Sequence, residues 1–100
     1  MNADAKTKTI EEITNLKNTV AAAEAKDKAE AAYLATYAMT CDLAIICVKN
    51  DDVKALETEA AQAMKMVEAF SSIAGSAAWK SAVGRESAAS TALAIVKANS

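Results

Sequence analysis

The chain has 100 residues and a formal net charge of −2, with a pI near 5.1; 53% of the residues are hydrophobic, yet 26 residues are alanine. It has two glycines, no proline and no histidine. This length makes one domain with one modest core. The missing histidine removes the commonest general base and metal ligand. Mild acidity with a single arginine, Arg85, argues against direct nucleic-acid binding.

Alanine has the best intrinsic helix propensity, and the residues that stop helices are nearly absent. The composition therefore predicts an all-α fold, a small bundle of three to five helices. Each alanine buries little area, so the bundle is expected to be thin and tightly spaced.

The first eight residues, MNADAKTK, are polar and predict a frayed end with no signal peptide. Thr9-Ile10-Glu11-Glu12 has the capping-box form, with Thr9 as N-cap and Glu12 three residues on. A first helix is expected over 9–26, with Ile10, Ile13, Leu16 and Val20 on one face. Lys26-Asp27-Lys28-Ala29-Glu30 admits two readings. Asp27 caps a second helix, or one long helix runs through on the Glu24–Lys28 and Lys26–Glu30 pairs. A break is favoured, because an uninterrupted helix to residue 49 would far exceed the usual length.

The second helix, 29–49, carries Leu34, Tyr37, Cys41, Ala44 and Val48 on one stripe and Met39, Leu43 and Ile46 on another. Two apolar stripes predict burial on two sides, hence a central helix. Ala31–Val48 holds one charge, Asp42, and has the length of a membrane span. Its threonines, tyrosines and alanines favour the centre of a soluble, cytoplasmic bundle. Cys41 and Cys47 are six apart, about 600° of helical turn, so they cannot bridge each other. They read as reduced, buried thiols.

Asn50-Asp51-Asp52 predicts a turn, with an aspartate capping the next helix. The third helix, 52–74, places Val53, Leu56, Ala60, Ala63, Val67 and Phe70 at coiled-coil spacing. Gly75 suits a helix end and Ser76 a cap. The fourth helix, 76–98, carries Trp79, Ala82, Ala89, Leu93 and Val96, and Gly84 either bends it or divides it.

No histidine can activate a serine or cysteine nucleophile, and no glycine loop can cradle phosphate. Asp51, Asp52, Glu57 and Glu59 are the densest carboxylates but lack the EF-hand pattern. The expectation is no catalytic site, no metal and no cofactor. Partner contact remains. Asp51, Asp52, Glu57 and Glu59, with Glu11 and Glu12, are either solvated faces or docking points for a lysine- and arginine-rich surface. Asp42 lies among apolar helical neighbours, as an edge residue, as half of a lysine pair, or as an interface charge. Tyr33, Tyr37 and Trp79 are core residues or exposed anchors. Two function classes follow. One is a non-enzymatic inhibitor of another protein. The other is a self-assembling structural or adaptor protein that uses the 53–70 seam.

With its length, its mild acidity, the stretch MNADAKTKTIEEITNLK leading straight into helix, and no recognisable site, the chain resembles small phage-encoded anti-CRISPR proteins directed at type I surveillance complexes. That group shares no motif, so the resemblance carries over no residue roles. It implies a cytoplasmic protein that binds a ribonucleoprotein complex with a basic surface, with no direct nucleic-acid or membrane contact. It also implies that the protein blocks recognition of target DNA by that complex. Self-association remains open beside it.

Without a ligand pattern for metal, chelation should leave the thermal midpoint unchanged. A fall of several degrees on adding EDTA would reveal a structural metal.

Overall fold

Each α-helix begins on a side chain supplied by its own sequence. Asn2 Oδ1 accepts from the Ala5 N–H at 2.8 Å, and Asp27 Oδ1 from the Glu30 N–H at 2.8 Å. Asp52 Oδ1 accepts from the Ala55 N–H at 3.1 Å, and Ser76 Oγ from the Trp79 N–H at 3.2 Å. Every one of these satisfies an N-terminal amide that the helix cannot bond itself. The structure, a computed structural model, describes all 100 residues. They form α1 (Ala3–Ala21), α2 (Lys28–Lys49), α3 (Val53–Ala69), a short 3-10 turn (Ser71–Ile73) and α4 (Ala77–Ala98), with no strand.

Three boundaries differ from expectation. Residues 3–8 are helical, because Asn2 rather than Thr9 caps α1 and Asp4 supports its first turn. Thr9 lies fully buried inside the helix. Its hydroxyl donates to the Ala5 carbonyl at 2.7 Å and accepts from Asn99 Nδ2 at 3.1 Å, tying α1 to the C-terminus. Helix α1 stops at Ala21 rather than 26, since no large apolar residue follows Val20 before Asp27 starts the next helix. Helix α3 stops at Ala69 rather than 74, and the chain tightens into the 3-10 turn before Gly75, at φ +91°, redirects it.

The spatial order is α1, α2, α4, α3, with α2 and α4 as the central pair. The molecule measures 42 × 27 × 18 Å. Its core is built from Ile13 of α1, Tyr37, Cys41, Ala44, Cys47 and Val48 of α2, Leu56 of α3, and Ala88, Ala89, Ala92 and Val96 of α4. Helix α4 thus presents mostly methyl groups to its neighbours, and the backbones come close. Gly84 sits where they are closest. A Cβ there would run into the Tyr33 carbonyl oxygen and lie 2.5 Å from Thr36 Oγ1. Beside it, Thr36 Oγ1 donates to the Ser81 carbonyl at 2.9 Å, joining α2 to α4. The glycine does not divide α4, which runs unbroken from Ala77 to Ala98; it serves helix contact.

The 53–70 seam is consumed inside the molecule. Leu56 and Ala63 are fully buried, and Val53 and Ala60 pack on the core. The second stripe of α2 behaves in the opposite way. Met39, Leu43 and Ile46 are 70%, 38% and 54% exposed. Helix α3 packs chiefly on α4, so no element remains to cover the outer side of α2. By length and composition α2 could cross a membrane, and it is partly buried in the bundle.

At a solvent-facing helical position, glycine to alanine stabilises by about 1 kcal/mol. At Gly84 the added methyl must force α2 and α4 apart, so Gly84→Ala should destabilise by about 1–3 kcal/mol. Urea unfolding checks this, and a raised midpoint would contradict the close approach.

Candidate functional site

The structure divides the candidate carboxylates into those engaged within the molecule and those left to solvent. Asp42 pairs with Lys17 of α1 at 2.7 Å and is exposed, so it stands at a helix edge and not in the core. Asp51 adopts φ 55°, a left-handed conformation that aspartate tolerates in turns. It pairs with Lys6 at 2.9 Å, and that hydrogen bond holds its carboxyl below the usual range. Glu59 grips Arg85 in a two-pronged contact, with Arg85 Nη2 to Oε1 at 2.8 Å and Arg85 Nε to Oε2. The pairing favours the charged guanidinium. Asp52 is exposed and caps α3 with one oxygen.

Glu11 and Glu57 are exposed, Glu12 is half-buried, and none of the three makes a side-chain hydrogen bond or ion pair. The two acidic sets do not converge. Glu11 and Glu12 lie on α1, at one side of the bundle, and Glu57 and Glu59 on α3, at the other. No group of three cysteine, aspartate or glutamate side chains comes together in a metal-holding arrangement.

Tyr33 and Tyr37 belong to the packing of the core. Tyr37 is buried, and Tyr33 stacks against it at 5.8 Å with the rings tilted 47°. Trp79 is half-buried near the start of α4, with the Lys80 ammonium 5.7 Å from its ring centre. Cys41 and Cys47 are buried free thiols. Burial pushes both thiols up, and the negative charges of Asp42 (for Cys41) and of Asp52 and Glu59 (for Cys47) push the same way. Thiolate is therefore scarce and both sulfurs are poor nucleophiles at neutral pH.

Sequence reasoning missed the most exposed apolar feature. Met39 and Leu43 form one wall of an open groove of about 400 Å³, with Thr36 and Thr40 beneath them and Glu59 and Arg85 opposite. Met66 continues the far side, its sulfur 2.9 Å from Arg85 Nη1, and Gln62 Oε1 lies 3.4 Å from Nη2. The groove is too open to exclude water from a reaction, and its one charged pair is already matched. Such a surface suits contact with another macromolecule. The signal was present in the sequence as the second stripe of α2, but the stripe gave no indication that it would stay uncovered.

An exposed pair such as Asp42–Lys17 contributes only about 0.2–1 kcal/mol and is screened by salt. Asp42→Asn should therefore lower stability by less than about 1 kcal/mol, with the difference shrinking in 1 M NaCl. A loss of 3 kcal/mol or more in denaturant unfolding would instead mark Asp42 as part of a buried pair. Comparison with known proteins returns nothing similar: no family model, no curated protein and no solved structure matches the chain.

Proposed function

We propose that the chain is a non-enzymatic protein-binding inhibitor, of the kind phages direct at type I CRISPR surveillance complexes, and that it acts in the host cytoplasm by blocking target DNA recognition. One observation carries this reading. Glu11 and Glu57 stand on rigid helices, exposed and without an intramolecular partner, whereas Asp42, Asp51 and Glu59 are engaged by Lys17, Lys6 and Arg85. Unmatched carboxylates on a rigid helix suit a basic surface that otherwise holds phosphate. They meet its lysines and arginines without first breaking a bond or ordering a loop.

Close charge pairs at such an interface couple by about 1.5–7 kcal/mol, while charges at its rim mainly alter the association rate. Glu12, next to Glu11, and Asp52, the N-cap of the helix that carries Glu57, are the supporting members of the set. Structural or adaptor assembly through the 53–70 seam has less support, because that face is occupied by α4.

The test is a mobility-shift assay of target DNA with a purified type I surveillance complex. The native protein should abolish the shift at stoichiometric concentration. Glu11→Lys and Glu57→Lys together should raise the concentration required by at least about tenfold, with an unchanged helical circular-dichroism signal. An unaffected shift at saturating native protein would overturn the reading. Full potency in the double variant would move the contact away from the carboxylates.

A further inference from the structure

Neither the fold nor the proposed inhibition accounts for the exposed apolar face of α2. Ala32, Ala35, Met39, Leu43 and Ile46 follow one another at 3-4-4-3 spacing, so they line one side of the helix over about 21 Å. Met39 and Ile46 are 70% and 54% exposed. No unpaired charge interrupts this line. Asp42 beside it is neutralised by Lys17, and Lys49 lies about 60° of helical turn away from the Ile46 position. In a monomer Ala35, Met39, Leu43 and Ile46 face water with nothing gained, and Ala32 is half-buried.

We infer that this face is the interface with a second copy of the chain, two α2 helices packing antiparallel about a two-fold axis through Met39. The order of residue sizes carries the inference. The stripe is small in its first half and large in its second. An antiparallel pair centred on Met39 sets Ala35 of one copy against Leu43 of the other, and Ala32 against Ile46. Each large side chain then meets an alanine, twice over by symmetry, which is the self-complementarity a two-fold contact demands. A parallel pair would set Ile46 on Ile46 and alanine on alanine, with a clash at one end and a void at the other.

Charge agrees with the same register. Lys28 sits at the N-terminal end of the stripe and Asn50-Asp51 at the other. The antiparallel arrangement brings each Lys28 ammonium to the second copy's α2 C-terminus, where the negative end of the helix dipole favours a cation. The interface goes beyond the proposed inhibition and does not rest on it, since Glu11 and Glu57 lie on other helices.

Sedimentation equilibrium of the full chain from micromolar to several hundred micromolar tests the inference directly. The mass should rise from 10.4 kDa toward twice that value. Met39→Glu should leave the protein monomeric throughout, with an unchanged helical circular-dichroism signal. Leu43→Ala should weaken association by at least tenfold. Adding Ala35→Leu to it should restore association to within about threefold, because the exchanged pair refills the same volume across the axis. A monomer at every concentration overturns the proposal, and so does a dimer that survives Met39→Glu. A double variant no tighter than Leu43→Ala overturns the antiparallel register. Flotation with phosphatidylcholine vesicles, lost in Met39→Glu, from a protein that never dimerises would instead assign the face to lipid. The mass readout involves no surveillance complex, so failure here and failure of the inhibition are told apart.

Discussion

The close approach of α4 to α2 is the constraint from which the rest of the structure follows. It needs a residue without a side chain at Gly84, where the Tyr33 carbonyl and the Thr36 hydroxyl fill the space a methyl would take. It needs small residues along the same helix, and Ala82, Ala88, Ala89 and Ala92 are all buried. A core of methyl groups removes little area from water per residue. Its cohesion comes instead from the density of contacts that close backbones allow. Larger side chains on α4 would bury more surface each, but they would hold the helices apart and lose the Thr36–Ser81 hydrogen bond.

Once α2 and α4 are paired, the outer helices have few choices. Helix α1 covers the open flank of α2, and α3 lays its Leu56–Ala63 face on α4. Ion pairs brace these placements: Lys17–Asp42 joins α1 to α2, Lys6–Asp51 joins α1 to the α2–α3 turn, and Arg85–Glu59 joins α4 to α3. Surface pairs contribute little energy individually. Their larger effect is on what the protein can offer a partner. Each braced carboxylate is withdrawn from the surface charge available for docking, which leaves Glu11 and Glu57 as the exposed, unpaired members of the candidate set.

The arrangement leaves two kinds of surface with different chemistry. The outer side of α2 is apolar, and large next to small along its length. The exposed sides of α1 and α3 carry unmatched carboxylates. A pair of chains joined through α2 would close the first surface and double the second. Two copies of a modest charge-based contact can then act together, raising overall affinity without any new interaction type, provided both can engage at once.

Composition and local pattern determined the helices. Alanine content, the absence of proline, and capping residues at Asp27, Asp52 and Ser76 act within a few residues of where they sit, so they are readable without the fold. The N-terminus shows the limit even of local signals. Thr9 with Glu12 matches a capping box, but the hydroxyl finds a better place buried against Asn99, ninety residues away, and Asn2 takes the cap. Only the tertiary structure decided what each apolar face meets. Hydrophobic spacing marks a stripe as unfavourable in water without naming its cover. The α3 seam, which resembles an assembly surface, is covered by α4, and the Met39–Ile46 stripe, which resembles core, is left open. The same holds for the charges. Whether a carboxylate on a helix is solvated, braced or free depends on which lysine or arginine another helix brings to it, and that pairing is set by packing between segments far apart in the chain.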